Sequence, residues 1–414
     1  MSQDFKMIND HAVGEFSADI IFEIAGKAAQ AAQKIGSENV INASIGSLTD
    51  DKGGLMTNSV YYDVLRSLSN AEMAGYSAMQ GEPGFLNASI KACFRDVKPD
   101  GYVEAVTTMG GTAAVRNVIW NYANDGDEVL VTDWNWSPYN IIAYENKRKM
   151  KEFKMFTDDH QFNIAALEEA TVELMKKQDC VIAIINVPAH NPTGYTMSYK
   201  EAQELYAMYE VLAQKNPLKR FVILFDVAYI DFAGEKGRDF IRAYKTLPKN
   251  VLLLFSYSLS KTATAYGLRT ASLISLSGDK EIALEAKAAG TFSTRGVYTG
   301  CVSAAQRAFA KVYEDEALTE KFEAERETHV QLVGRRASAL MREADKIGLK
   351  YMPFDSGYFM SIPILGEAMP VVEAMFEKNA FTVPMPQGIR IAVCSVPEDK
   401  CARLPAILKE YVQQ

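Results

Sequence analysis

The stretch FSYSLSKTATAYGLRTASLI at 255–274 sets Lys261 just past Ser258 and ahead of Arg269, directly behind the apolar run VLLLF at 251–255. An amine at the end of a buried strand is costly to keep charged. Desolvation and neighbouring cations lower its pKa and make it a nucleophile able to form a Schiff base with an aldehyde. The Ser258 hydroxyl and the forked guanidinium of Arg269 both suit a phosphate. Upstream, FVILFDVAYIDFAG at 221–234 ends an apolar run on Asp226, a carboxylate that needs a cationic or hydrogen-bonding partner there. Tyr229 follows closely enough to bring its hydroxyl into the same pocket, or else packs as a core aromatic. Two further segments read both ways. NVPAHNPTGYT at 186–196 holds Asn191 in a turn that Asn-Pro and Thr-Gly chemistry alone would explain. TTMGGTAAVRNVIW at 107–120 puts Gly110, Gly111 and Thr112 before good helix formers, as a phosphate-binding helix start or as a plain capping turn.

These residues need a frame. The runs VLVT at 129–132, VIAIINV at 181–187, FVILF at 221–225, VLLLF at 251–255 and ASLISL at 271–276 alternate with longer amphipathic stretches. That alternation predicts an α/β fold, and strands apolar on both faces predict a mostly parallel sheet covered by helices on each side. Its carboxyl edge is where ligands bind. From 301 to 345 the chain is rich in Ala, Glu, Arg and Lys without proline, which predicts one or two long helices. With 414 residues, 48% of them apolar, the chain reads as two or three domains with a sizeable core.

The 44 basic and 52 acidic residues, net charge −8, are dispersed, which argues against a nucleic-acid or anionic-membrane partner. Five widely spaced cysteines, Cys93, Cys180, Cys301, Cys394 and Cys401, read as free thiols of a reducing compartment. Four histidines, His11, His160, His190 and His329, without HExxH or a Cys/His cluster, argue against a metal site. The polar, acid-bearing start MSQDFKMINDHAVGEFS lacks the pattern of a signal peptide, and no apolar run is long enough for a membrane span, so a cytoplasmic protein is expected.

SxSK followed by GxR, with AHNPTG before and FDVAY between, resembles the class I aminotransferases of pyridoxal phosphate fold type I, and most strongly their aspartate and aromatic branch. The likeness extends in scattered blocks over roughly 40–400: VLVTDWNWSPY at 129–139, GYSAMQGEPGF at 75–85, INASIGSLTDDKGG at 41–54 and GIRIAVCSV at 388–396. It implies pyridoxal 5'-phosphate as cofactor. It also implies a large domain over 55–310, a smaller α+β domain from 1–54 and 311–414, and a homodimer with active sites at the interface. Lys261 would hold the cofactor and shuttle the proton, and Asp226 would pair with the pyridine nitrogen. Asn191 and Tyr229 would bond the phenolic oxygen, and Trp136 rather than Trp134 would stack on the ring. Gly110, Gly111, Thr112, Ser258 and Arg269 would hold the phosphate, joined by Tyr76 from the neighbouring subunit. Arg390, Gly46 and Asn191 would receive the substrate, Arg390 taking its α-carboxylate. Tyr139 stands where the aspartate enzymes carry a histidine, and His190 reads as structural rather than catalytic.

The resemblance implies ping-pong transfer of an amino group from an L-amino acid to a 2-oxo acid. In KAAGTFSTRGVYTG at 287–300, alignment through the aromatic-Ser pair puts Ala289 where dicarboxylate-specific members carry the arginine that reaches the neighbouring subunit's substrate, with Arg295 as a substitute or else a structural or interface arginine. Together with Phe292, Tyr298, Tyr358 and Phe359, this favours a neutral or aromatic donor. The rival on the same scaffold is a β-lyase or amino-acid decarboxylase. A second rival, a transcription regulator using such a domain as a ligand sensor, would need a fused DNA-binding module, and the roughly 40 residues before the first block carry no basic helix-turn-helix pattern.

Overall fold

A computed structural model describes residues 7–9, 12 and 20–413. His11 and most of the N-terminal stretch read for a leader lie outside them. The strands are, in chain order, β1 (Ile41–Asn42), β2 (Tyr102–Thr108), β3 (Glu128–Thr132), β4 (Lys149–Phe153), β5 (Cys180–Ile185), β6 (Arg220–Asp226), β7 (Val251–Ser258), β8 (Ala271–Ser277), β9 (Phe359–Pro363), β10 (Ala380–Phe381), β11 (Val383–Met385) and β12 (Gly388–Ala392). Seven form the central sheet in the order β2-β8-β7-β6-β5-β3-β4. Only β8 pairs antiparallel with its neighbours, so six strands point one way and their carboxyl ends share one edge. β5 and β7 are buried at every position, because helices cover both faces and leave no solvent side for a polar alternation.

All five apolar runs become strands. The two strands without such a run, YVEAVTT and KMKEF, are β2 and β4, the two edges of the sheet. An edge needs less burial, and the exposed or half-buried lysines of β4 discourage pairing with another chain.

Four helices matter most for the site: α1 (Ile20–Ile35), α2 (Gly110–Tyr122), α3 (Lys280–Tyr298) and α4 (Glu316–Lys346). One apolar cluster, including Phe85, Phe94, Phe225, Phe255 and Phe309, fills one face of the sheet. A second, including Val115, Ile119, Ile182, Val222 and Leu254, fills the face under α2. A third joins both ends of the chain, Ile24, Ile41 and Leu48 with Leu340, Met360, Ile391 and Leu404. β11-β12-β9 form an antiparallel sheet beside it, and β1 pairs parallel with β10. The stretch 301–345 is the helix Ser303–Glu314 followed by α4, whose Phe322 belongs to the first cluster and whose Val333 and Leu340 belong to the third. Among the described residues no helix is long and apolar enough to cross a membrane, and all five cysteines are free and buried.

Candidate active site

The shared carboxyl edge gathers the chemistry-bearing segments into one cavity of about 220 Å³. Asp226 ends β6, Ser258 ends β7 with Lys261 in the helical turn beyond, and α2 begins soon after the end of β2. Gly111, Thr112, Trp136, Asn191, Asp226, Tyr229, Ser258, Lys261 and Arg269 all line it. No side chain caps α2, and Gly111 and Thr112 of its first turn line the cavity, an arrangement that suits an anion. Gly110 has φ +77°, and a Cβ there would stand 2.3 Å from the Arg269 guanidinium. Only glycine admits that close approach. Arg269 donates to the Tyr266 carbonyl at 2.9 Å and faces the Ser260 hydroxyl at 3.4 Å.

The Lys261 ammonium donates to the Gly46 carbonyl at 2.7 Å. It lies 4.5 Å from the ring centre of Tyr266, 5.2 Å from Tyr358 and 5.4 Å from Tyr229. Burial brings its pKa down to about 8, with Arg390 and Arg269 adding repulsion and the nearby Cys394 opposing. Burial raises the Asp226 carboxyl, and hydrogen bonds from Tyr139, the Ala228 N–H and Asn186 pull it back. The Tyr139 hydroxyl donates to Asp226 Oδ2 at 2.7 Å. Burial holds that phenol protonated. Burial likewise raises Tyr229 well above its ordinary value.

Arg390, on β12, is buried behind the cavity: it donates to the Ser44 carbonyl at 3.0 Å, approaches Asn191 Oδ1 at 3.5 Å, and stacks 4.5 Å over the Phe359 ring. Phe359 also presses on Gly46, where a Cβ would stand 2.4 Å from the ring. Tyr76 is on the surface, 90% exposed, outside its own chain's cavity. His190 is buried, bonded to Thr193 Oγ1 at 2.8 Å, and its imidazole is driven down to about 3 by burial. It does not line the cavity.

Ala289 lies mid-helix in α3 and lines a different cavity of its own chain, with Cys180, Arg220 and Leu252 at the opposite end of the strands from Lys261. Arg295 is in the last turn of α3 and exposed, as are Phe292 and Tyr298, whereas Tyr358 and Phe359 are buried beside Lys261 and Arg390.

Four cavity residues escaped the sequence reading: Asn186, Ala228, Ser260 and Tyr266. Asn186 accepts from the Asn191 N–H at 2.6 Å and donates to the Asp226 carbonyl at 3.0 Å, tying two strand ends together. The Tyr266 hydroxyl accepts from the Leu48 N–H at 3.0 Å and meets the Tyr358 hydroxyl at 3.1 Å. Asn186 opens NVPAHNPTG and Tyr266 stands between Lys261 and Arg269, so sequence position alone was the available signal.

A buried amine, a carboxylate and an arginine beside an open helix start, on the carboxyl edge of such a sheet, define a fold type I site for a phosphorylated aldehyde cofactor. The chain belongs to the class I and II aminotransferases, whose family model matches residues 38–408. Pyridoxal 5'-phosphate is the cofactor of the class. An aminotransferase from Anaerococcus prevotii is 34% identical, with 99% of this chain and 100% of that one covered at a TM-score of 0.96. The aromatic-amino-acid aminotransferase of Burkholderia pseudomallei, solved covalently bound to pyridoxal phosphate, shares the fold at 16% identity, TM-score 0.78 and coverage of 98% and 100%. The aromatic-amino-acid aminotransferase of Paracoccus denitrificans is 24% identical over 63% of this chain and 64% of that protein. The curated relatives are thus matched over 43% and 64% of their lengths, less than two thirds.

Proposed function

We propose that the protein transfers the amino group of a neutral or aromatic L-amino acid to a 2-oxo acid by a ping-pong mechanism. The observation that carries this reading is Lys261, an amine with pKa near 8, sharing one cavity with the Asp226 carboxylate and Arg269. The residues fit pyridoxal 5'-phosphate: Gly110 leaves room for the Arg269 fork, Gly111, Thr112 and Ser258 offer donors, and Asp226 offers a buried anion to a ring nitrogen. When bound, that group supplies an aldehyde for the amine and a ring that draws electrons from the substrate α-carbon. Lys261 would carry the proton to and from the substrate α-carbon. Asn191 and Tyr229 would hold the phenolic oxygen of the group, Trp136 would offer it a flat face, and Arg390 with Gly46 would orient the substrate carboxylate. The aromatic wall of Tyr266, Tyr358 and Phe359 supports an apolar donor.

The same proposal divides the chain into a large body over 55–310 and a small one from 1–54 and 311–414, in line with an apolar cluster drawn mainly from the two chain ends, which Ala189, Tyr229, Phe232 and Ala233 also join. It makes the protein a cytoplasmic homodimer in which Tyr76 completes the neighbour's phosphate site, in keeping with that tyrosine's 90% exposure.

The test is the visible spectrum of the cofactor-loaded protein with single amino acids, followed by a 2-oxo acid. A band bleached best by neutral or aromatic amino acids and restored by the oxo acid is expected, and Lys261→Ala should lack the lysine-dependent band. Bleaching by dicarboxylates alone overturns the substrate class. Pyruvate or amine released without an acceptor moves the activity to the lyase or decarboxylase.

A further inference from the structure

Beneath the cavity, on the side away from solvent, a single carboxylate gathers an unusual set of partners. Asp231 follows Asp226 and Tyr229 on the segment leaving β6, and its side chain is 1% exposed. Its Oδ1 receives Arg238 at 2.5 Å, with Arg95 at 3.6 Å and Arg326 at 3.7 Å. Its Oδ2 accepts from the Thr262 hydroxyl at 2.7 Å and the Tyr257 hydroxyl at 3.0 Å. Burial would raise this carboxyl, but the three arginines and Thr262 hold it far below the usual range, so it is an anion at every working pH.

The arginines anchor it to the rest of the large body. Arg238 also donates to the carbonyls of Ala92 and Cys93, at the end of the helix Pro83–Phe94, both at 2.9 Å. Arg326 belongs to α4 and pairs with Glu323 at 3.3 Å, which Arg95 also approaches at 3.4 Å. The other two bonds point toward the site. Tyr257 immediately precedes Ser258, and Thr262 immediately follows Lys261. The helical turn between them is only Leu259–Thr262, too short to hold its own shape by backbone bonds.

We propose that Asp231 is a positioning residue for the reaction: through Thr262 and Tyr257 it fixes both ends of the segment that carries Ser258 and Lys261. It touches neither substrate nor cofactor. Its role is to keep the lysine backbone still, so that Nζ, here bonded to the Gly46 carbonyl, would be aimed at the aldehyde of the cofactor and at the substrate α-carbon. A displacement of about 1 Å at such a group costs on the order of a hundredfold in rate, and a loosened tether costs part of that. The proposal rests on the transaminase reading above.

The experiment isolates the tether from the ion cluster. In the full chain, Thr262→Val removes the hydroxyl at nearly constant volume and leaves Asp231 with its arginines, whereas Thr262→Ser keeps the donor. The readouts are the rate at which cofactor-free protein captures pyridoxal 5'-phosphate, followed by absorbance, then kcat and KM for the best amino donor, and Tm as a folding control. T262V should lower both the capture rate and kcat by roughly tenfold, with KM changed less than about twofold, and T262S should restore both to within about twofold. T262V that captures and turns over like the parent, whatever its Tm, overturns the positioning role and leaves the transaminase reading intact. A parent protein that forms no band overturns the transaminase reading and the positioning role with it.

Discussion

Lys261 is held in a way that makes its chemistry depend on pH within the ordinary working range. The neutral amine is the nucleophile, and burial lowers its pKa from 10.5 to about 8. Below that value the reactive fraction falls about tenfold per pH unit. Capture of pyridoxal 5'-phosphate by the cofactor-free protein should therefore rise steeply from pH 6 to 8 and level off above it, measured as the second-order rate of band formation. A rate still climbing at pH 10 would mean an ordinary exposed lysine. At this scale much of the site was legible from the sequence, because Lys261, Asp226, Arg269 and Asn191 are polar residues where an apolar strand ends. Asn186 and Tyr266 were not. Their work is done through bonds to the Asp226 carbonyl and the Leu48 N–H, partners distant in sequence that no local pattern discloses.

Among the elements, α2 carries the sharpest requirement. Its uncapped N-terminus and the positive φ of Gly110 let the helix start approach Arg269 without an intervening side chain. Gly110→Ala would place a methyl inside the guanidinium's position and strain a left-handed backbone by about 1–2 kcal/mol. The expected result is a loss of pyridoxal 5'-phosphate affinity of roughly tenfold or more, read by titration, with far-ultraviolet circular dichroism unchanged. Unchanged affinity would remove the α2 start from the phosphate site. The sheet interior was legible for the same reason that it is stable: strands covered on both faces must be apolar throughout. The edges β2 and β4 were hidden because one flank needs no such run.

For the whole molecule, the surface around Tyr76 bears on assembly. Met79, close to Tyr76 in sequence, is 51% exposed, an apolar side chain that a second copy would cover. Sedimentation should find a dimer at micromolar concentration, and Tyr76→Phe should weaken cofactor binding by roughly three- to tenfold through loss of one phosphate contact. A monomer with full activity on dilution would separate Tyr76 from the site. The proposed division into two bodies rests on the resemblance, since nothing local in α4 marks where it passes from one apolar cluster to the other.

The pairing of β1 with β10 sets an order on biosynthesis. Ile41 and Asn42 find their partners only at Ala380 and Phe381, and Ala43 accepts the Ala392 N–H, so the earliest segment waits for one of the last. While the ribosome makes the intervening chain, β2 to β8 can already close their sheet, and α1 with the Gly46 strap stays undocked. The nascent protein thus assembles its cofactor-holding sheet before the carbonyl that greets Lys261 can arrive. A stalled chain ending before β10 would carry the sheet and leave the apolar side of α1, Ile24 and Ala28, for chaperones to shield.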